Sequence, residues 1–155
     1  PETEQQHDLA VLRVEGPPLP ALELGDSEQV REGQAVAFMG FPIGGTLGFS
    51  PVTHRGIVSA ITPAQLPAAN ARSLTDAAIR AARAGSFDLF QLDATAYPGN
   101  SGGPLFDAEP GAVLGVVNMV LLKNTRESAL SQPSGISYAV PSKFVRALLE
   151  RVAGR

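Results

Sequence analysis

The sequence predicts an all-β domain: a small barrel of six antiparallel strands with one helix at its C-terminal end. Two observations favour this fold class. The 155 residues include 16 glycines and 13 prolines, and these separate short apolar runs in the way that turns separate strands. Six of the runs have strand length, and six short antiparallel strands can close into a barrel that leaves no unpaired edge.

The predicted barrel strands are apolar runs bounded by turn-forming residues. They are Ala35–Gly40, Pro51–Ile61, Phe87–Ala94, Gly103–Phe106, Ala112–Leu121 and Gly135–Val140. One earlier run, Asp8–Val14 (DLAVLRV), alternates roughly between apolar and polar residues and predicts a further strand. It is followed by EGPPLP, whose prolines make a stiff, extended linker.

Two segments carry helical signals. Ser73–Ala84 opens with Ser73 and Asp76 in capping-box spacing and stops before a glycine. Ser142–Val152 follows a proline and is predicted to be the C-terminal helix, because its apolar residues recur at helical spacing. The predicted apolar face consists of Phe144, Val145, Leu148, Leu149 and Val152.

Composition and charge argue against several classes of protein. The net charge of −3 provides no positive field for a polyanion, so nucleic acid is not expected as a partner. The sequence has no run of about 18 apolar residues, so no membrane-spanning segment is predicted. Its polar start, PETEQQHD, lacks the features of a signal peptide. With no cysteine and two histidines, the chain is not expected to form disulfides or a structural zinc site.

The most informative stretch is Asp93–Asp107, DATAYPGNSGGPLFD, which lies between two strand-like runs. Its GNSGG core satisfies the G-x-S-x-G pattern of the nucleophile elbow, which needs a helix directly after the serine. Here GPLFDAEPG follows the serine and cannot begin a helix, so we reject the elbow. Two interpretations remain open: a plain tight turn, and a serine raised out of the backbone to attack a carbonyl.

An attacking serine needs a base beside its hydroxyl. The oxyanion formed by the attack needs two backbone N–H donors aimed at one point. Gly99, Gly102 and Gly103 allow the backbone conformations that converge such donors, and the N–H groups of Gly99 and Ser101 are the natural pair. A short Gly-Asn-Ser-Gly run alone does not distinguish a plain turn from a catalytic site. The rest of the sequence has to distinguish them.

Six segments, in this order along the chain, resemble the second half of trypsin-like serine endopeptidases, in particular the HtrA/Deg branch. They are HDLAVLRV, VAFMGFPIG, RGIVSAI, QLDATAYPGNSGGPLFD, GVVNMV and GISYAVPSKFV, and they extend over about Asp8 to Val145. The resemblance implies a chymotrypsin-like fold of two barrels with the active site in the cleft between them. Residues 1–20 would be the last strand of the first barrel and a linker, residues 21–141 the second barrel, and residues 142–155 the closing helix.

The resemblance also implies roles for particular residues. Ser101 matches the nucleophile, Asp8 the acid that orients the catalytic imidazole, and Gly99 with Ser101 the oxyanion donors. Thr95 and Ala96 match one wall of the pocket that holds the substrate side chain before the cut. The strand that pairs with the substrate backbone is matched by Val116, Val117, Asn118 and Met119. Small residues at positions 95 and 96, with no carboxylate, predict a modest apolar side chain in that pocket rather than Arg or Lys. No metal or organic cofactor is implied.

The family's base lies upstream of the acid, in a T-x-x-H type of motif on the first barrel, and nothing before Asp8 resembles that motif. Adjacent strand residues point to opposite faces, so we predict that His7 is a solvated strand-end histidine rather than the base. His54, in VTHRGIV, is expected to be an exposed loop or strand residue. We therefore expect an inactive fragment of a serine endopeptidase that cleaves extended or unfolded polypeptides, with the first barrel of the parent protein as its partner.

Further expectations follow from the resemblance. Gly40–Pro51 and Leu122–Gly135 resemble activation loops that switch between ordered and disordered forms, with an ordinary flexible turn as the alternative for the first. Tyr97 stands where HtrA-like proteases usually carry Asn. The expected location is the bacterial periplasm or cell envelope. The alternative function is a non-catalytic, protease-like module that binds peptides or a partner.

Overall fold

A computed structural model describes residues 2–42, 50–64, 87–118 and 136–154. These residues form eight strands and one helix. In chain order the elements are β1 (Glu2–Glu4), β2 (Leu9–Val11), β3 (Ala35–Gly40), β4 (Val52–Pro63), β5 (Asp88–Asp93), β6 (Pro104–Asp107), β7 (Val113–Val117), β8 (Ile136–Pro141) and α1 (Ser142–Ala153).

The last six strands close into an antiparallel barrel in the order β3-β4-β5-β8-β7-β6. The ring is completed by β6, which pairs with β3 in a register that sets Val36 opposite Asp107. The prediction of an all-β, six-stranded barrel is therefore confirmed, and each predicted barrel strand overlaps one of the six. In this ring β5 and β6, which are consecutive in the chain, lie on opposite sides, so the connection between them crosses one end of the barrel.

The barrel core is filled by residues that alternate along the strands, as expected where one face of each strand is buried. In β3, Val36 and Phe38 are fully buried, while Ala37 between them is partly exposed. Further strands contribute the remaining buried side chains of this cluster, which include Val58, Phe90, Leu92, Leu105, Leu114, Val117 and Ala139.

A second, smaller core lies outside the barrel, between it and the helix. Its buried members are Leu9, Leu89, Val140 and Leu148. The predicted strand Asp8–Val14 is shortened to Leu9–Val11, because it pairs with the three residues of β1 in a two-stranded sheet. Beyond that pairing the chain is exposed, with Leu12 at 69% and Val14 at 81%.

Helix α1 begins at Ser142 as the sequence predicts. The hydrogen bonds at its N-terminus are made with Gly25 and Ser27, which lie far earlier in the chain. The Ser142 hydroxyl donates to the Gly25 carbonyl, and the buried Ser27 hydroxyl oxygen accepts from the Lys143 N–H over 3.0 Å. The buried face is also narrower than predicted. Leu148 is 3% exposed, whereas Leu149 and Val152 are 41% and 36% exposed.

Several predictions lie outside the described residues. These are the helix Ser73–Ala84, the loop Leu122–Gly135, most of the loop Gly40–Pro51 and the end of the predicted strand Ala112–Leu121. Among the helices that are described, none is long and apolar enough to cross a bilayer. In the same part of the chain, no three His, Cys, Asp or Glu side chains lie together in a way that would hold a metal ion.

Candidate active site

The stretch that contains Ser101 forms a tight turn at the end of the barrel. The Asn100 N–H donates to the Tyr97 carbonyl over 3.0 Å, and the Gly103 N–H donates to the Asn100 carbonyl over 3.0 Å. Asn100 is completely buried, whereas Ser101, the next residue, is exposed. The turn therefore uses the asparagine as an internal anchor and presents the serine at the surface.

The ends of β3 and β7, the two strands that flank β6, hold this turn. At the end of β3, the Phe41 N–H donates to the Gly99 carbonyl over 3.3 Å. From the other side, the Gly102 N–H donates to the Val117 carbonyl, at the end of β7, over 2.8 Å. Because Ser101 lies between these two anchors, its backbone is fixed relative to both strands.

Gly99 is required by the geometry of the turn. Its φ of 103° lies in the left-handed region, which residues with a Cβ atom rarely adopt. A Cβ atom at this position would overlap the carbonyl oxygen of Phe41. Among the described residues, the Gly99 N–H donates to no backbone oxygen, which is compatible with the predicted role as an oxyanion donor.

His54 contacts the inner side of the turn. Its Nε2 atom lies 3.3 Å from Nδ2 of Asn100. The imidazole stacks on the buried Phe38 ring with centroids 4.9 Å apart, and the Tyr97 ring is 6.0 Å away. Burial lowers the pKa of His54 below its ordinary value of 6.5. The expected exposed histidine is therefore a half-buried one, packed behind the serine.

Asp8, the predicted catalytic acid, lies outside the barrel in the turn between β1 and β2. It has a φ of 53°, a conformation that is uncommon for a residue other than glycine. Its Oδ2 atom accepts a hydrogen bond of 3.0 Å from Nδ2 of Asn118, which is 5% exposed. A buried amide thus holds an exposed carboxylate in one place.

One short segment connects the acid to the serine turn. Val117 and Asn118 are consecutive residues where β7 ends. The carbonyl of Val117 accepts from the turn, and the side chain of Asn118 donates to Asp8. Asp8 is 93 positions from Ser101 in the sequence, so their approach to the same strand end is a product of the fold.

His7 is part of a side-chain cluster on the other side of Asp8. Its Nδ1 atom is bonded to Oε2 of Glu4. Its ring stacks on Phe144 of α1 with centroids 3.9 Å apart and meets the edge of Phe87 at 4.4 Å. The predicted solvated histidine is wrong, since its side chain is only 14% exposed. The prediction assumed that His7 and Asp8 lie on a strand, but residues 5–8 form a turn and the strand begins at Leu9.

Replacing Glu4 by glutamine is expected to destabilise the β1–β2 turn. It should also reduce the dependence of the unfolding free energy on pH. Burial raises the pKa of Glu4, but hydrogen bonds from the His7 ring and from the Gln6 N–H, with the His7 charge, hold the pKa below its ordinary value of 4.5. The stabilisation is therefore complete above pH 4.5 and is lost as the pH falls through the lowered value. We expect Glu4→Gln to cost about 1 kcal/mol at pH 7 and less at pH 3, measured by urea unfolding.

Glu28→Gln is the matched control for this prediction. The Glu28 carboxylate is 70% exposed and lies 3.9 Å from Nζ of Lys143, a geometry that contributes little to stability in water. If Glu4→Gln changed the unfolding free energy no more than Glu28→Gln at every pH, the Glu4–His7 pair would not stabilise the turn.

The two residues predicted to form the pocket wall have different environments. Thr95 is partly exposed, whereas Ala96 is 2% exposed and belongs to the barrel core. The Ala96 N–H donates to the hydroxyl oxygen of Ser137 over 3.1 Å, and this hydroxyl donates to the Ala94 carbonyl over 2.7 Å. Ser137 of β8 therefore fixes the backbone of the predicted wall.

The residues predicted to pair with the substrate also differ among themselves. Val116 and Val117 belong to β7, which is paired with β6 on one side and β8 on the other. The N–H and carbonyl of Val117 bond to Gly103 and Gly102, just before β6. Asn118 donates its N–H to the Tyr138 carbonyl over 2.8 Å. Met119 lies outside the described residues. Among the described residues, hydrogen bonding of this segment on the β6 side thus ends at Val117.

The sequence that forms this site matches a known protein family. The family model for the trypsin-like peptidase domain matches residues 2–116, which is most of the chain and includes both Asp8 and Ser101. The chain belongs to the trypsin-like peptidase family. Its relatives identify the HtrA branch within this family, as the resemblance of the six segments implied.

Two curated relatives illustrate the breadth of the branch. The trypsin-like domain is 33% identical over 150 residues to the probable periplasmic serine endoprotease DegP-like of Marinomonas sp. (strain MWYL1), with 97% of this chain and 26% of the relative covered. It is 31% identical over 154 residues to the mitochondrial serine protease HTRA2 of Drosophila pseudoobscura pseudoobscura, with 99% of this chain and 30% of the relative covered. The chain spans about a quarter to a third of the length of these relatives.

Solved structures show the same fold. A variant of the HtrA-type protease AlgW with a tripeptide is 29% identical, superposes with a TM-score of 0.65, and is matched over 95% of this chain and 40% of its own. AlgW with a decapeptide is 28% identical, with a TM-score of 0.64, and is matched over 95% of this chain and 38% of its own. The barrel and helix are thus similar in fold to part of the HtrA-type protease AlgW.

Some contacts in this trypsin-like site were not anticipated from the sequence. The spacing of Glu4 and His7, three residues apart at the start and within a turn, was a local signal that could have indicated their pairing. The contacts of Asn118 with Asp8 and of His54 with Asn100 join residues 110 and 46 positions apart. No local pattern indicates contacts of that range.

Proposed function

We propose that this chain supplies the nucleophile, the acid and the oxyanion donors of a serine endopeptidase of the HtrA branch. The observation that carries the proposal is the double role of the β7 end. Val117 holds the turn that exposes Ser101, and Asn118, the next residue, holds the carboxylate of Asp8. An exposed serine and an oriented carboxylate on one support are two parts of a Ser-His-Asp triad.

In the proposed reaction, Oγ of Ser101 attacks the scissile carbonyl while an imidazole takes its proton. The oxyanion is stabilised by the N–H groups of Gly99 and Ser101, which flank the buried Asn100. The imidazolium then gives the proton to the leaving amine as the carbon–nitrogen bond breaks. Water hydrolyses the acyl-enzyme by the same route, and Asp8 orients and stabilises the imidazolium in both halves.

We further propose that the imidazole comes from residues outside this sequence. The chain has two histidines. The ring of His7 is bonded to Glu4 and packed between Phe87 and Phe144. His54 stacks on Phe38 and contacts the buried Asn100 of the serine turn. Neither ring bridges Asp8 and Ser101.

The proposed substrate is an extended segment of polypeptide. A peptide can add a strand to an exposed sheet edge. We propose that it pairs from Asn118 onwards, because Val116 and Val117 are already paired on both sides. The AlgW structures with a tripeptide and a decapeptide support a peptide ligand. Small side chains at Thr95 and Ala96 favour a modest apolar side chain before the cut.

We infer a periplasmic or cell-envelope location for the protein. The support is the name of the bacterial relatives, which are described as periplasmic endoproteases. The relative from Drosophila is named as mitochondrial, so the branch is used in more than one compartment.

The experiment that tests the proposed function is labelling with a fluorophosphonate, which reacts with activated serines. We expect the 155-residue chain alone to remain unlabelled and to leave unfolded casein intact, because loss of the histidine of a triad costs about 10⁶ in kcat, as it does in subtilisin. The parent protein that carries the histidine should be labelled and should cleave casein. Mass spectrometry would locate the label.

Ser101→Ala in the parent is the control, and it should abolish both labelling and cleavage. Labelling of Ser101 in the chain alone would contradict the proposed external base. A parent protein that binds casein but is neither labelled nor active would favour the alternative, a non-catalytic peptide-binding module. The engagement of both histidines in other contacts is the observation that favours this alternative for the chain by itself.

A further inference from the structure

His54 is placed to control the position of the serine turn. It lies on β4 opposite Phe38 of β3, and its ring stacks on that buried phenylalanine at 4.9 Å with an interplanar angle of 19°. Stacking on a fully buried ring fixes the plane of the imidazole. Its Nε2 atom is directed at Nδ2 of Asn100, 3.3 Å away.

Asn100 transmits this contact to the backbone on both sides. It lies between Gly99 and Ser101 and is completely buried. Within the described residues its Oδ1 atom has no hydrogen-bond partner, so His54 is the side-chain partner of this amide. A buried amide that lost this partner as well would be left unsatisfied, which is unfavourable in an interior. The position of Asn100 therefore depends on the ring of His54.

The contact also depends on the protonation state of the ring. The Asn100 amide nitrogen can only donate, so Nε2 of His54 has to accept, and it can do so only in a neutral imidazole with its proton on Nδ1. A proton on Nε2 would place two donors against each other at 3.3 Å. The amide would then have to turn over, so that Oδ1 faces the ring, or withdraw from the ring. Either change alters the contact that holds the Asn100 side chain between Gly99 and Ser101.

The surroundings of His54 favour the neutral ring. Tyr97, 6.0 Å away, is the ionisable side chain that faces it among the described residues. Phe38 packs on it from β3, and Arg55, the next residue of β4, is exposed on the opposite face of that strand. No carboxylate in the described part of the chain acts on the ring, and burial alone lowers the pKa of His54.

We propose that His54 is a positioning residue for the serine turn: its neutral ring holds Asn100, and protonation of the ring releases Asn100 and displaces the N–H groups of Gly99 and Ser101. The consequence for catalysis rests on the proposed function, since it requires these groups to be the oxyanion donors. The coupling of the ring to the turn does not.

The coupling is tested on the 155-residue chain by NMR between about pH 8 and pH 5, the range in which histidine titrates. The backbone amide signals of Gly99 and Ser101 and the side-chain amide of Asn100 should shift with the same midpoint as the His54 ring. In His54→Gln, which can still bond to Asn100 but does not titrate, these shifts should disappear. In His54→Phe, which keeps the stacking on Phe38, the Asn100 side-chain amide should lose its protection from hydrogen exchange at every pH.

The proposal would be overturned if the backbone amide signals of Gly99 and Ser101 did not shift while the His54 ring titrated. Equal titration of these signals in His54→Gln would overturn it as well, because it would assign the effect to a group other than His54. His7 is retained in both variants and serves as the internal control.

In the parent protein, the rate of fluorophosphonate labelling adds a functional measure. Relative to His54→Gln, the wild-type rate should fall by up to about tenfold for each pH unit below the His54 midpoint. An equal pH profile for the two proteins would overturn the catalytic part of the proposal. Absence of labelling in both proteins at all pH values would count against the proposed function, while the amide signals would still decide the coupling.

Discussion

Replacing Phe38 by alanine is expected to lower the free energy of unfolding by about 3 to 5 kcal/mol. The side chain is completely buried, at the centre of β3, and it packs in the core of the barrel. Two neighbouring strands, β4 and β6, pair with β3 at this position, so they cannot collapse into the cavity without losing their register. Urea unfolding followed by circular dichroism measures the change.

Phe41→Ala is the matched control for that substitution. Phe41 follows the same strand, and its side chain is 47% exposed, so the loss should be about 1 kcal/mol or less. Equal effects at positions 38 and 41 would show that the barrel is not closed around Phe38. Phe38→Ala should also remove the stacking partner of His54 and alter the pH at which that ring titrates.

Replacing Gly99 by alanine is expected to cost about 3 kcal/mol or more and to abolish labelling of the parent protein. An alanine at a φ of 103° is strained by about 1 to 2 kcal/mol. Its Cβ atom would also overlap the Phe41 carbonyl oxygen, which is backbone and cannot rotate away. Relief of the overlap would break the bond between Phe41 and Gly99 and rotate the Gly99 N–H. Urea unfolding and fluorophosphonate labelling measure the two effects.

Gly111→Ala separates the two causes. Gly111 has a similar positive φ of 76°, but a Cβ atom there would meet nothing within 4 Å. Only the conformational cost should remain, about 1 to 2 kcal/mol, with labelling unchanged. If the two alanine variants were equally stable and equally labelled, the turn would not be held against Phe41 as described.

The barrel strands could be predicted because their local pattern and their final environment agree. Ala35–Gly40 was predicted with the bounds that the structure has, since Val36 and Phe38 alternate with less buried residues along a strand that has one buried face. The strand Asp8–Val14 was predicted too long for the opposite reason. Its composition continues beyond Val11, but the partner strand does not, so Leu12 and Val14 remain exposed.

The candidate site was predictable only in its local part. The turn around Ser101 is defined by adjacent residues, and its glycines could be read from the sequence. The environments of His7 and His54 could not, because they are set by Phe144 and by Asn100, which are distant in the sequence. The exposure of Leu149 in the C-terminal helix could not be predicted either. Its spacing is helical, but its side of the helix is not covered by the barrel.

The crossing of the barrel end by the β5–β6 connection has a consequence for the timing of folding. The Ser101 turn is held by Phe41 and Val117, and these anchors acquire their places only when β3 meets β6 and β7 meets β8, pairings between parts of the chain that are far apart. Such pairings form slowly during folding. The turn that exposes Ser101 is thus expected to reach its final form only after the strands of the barrel have paired.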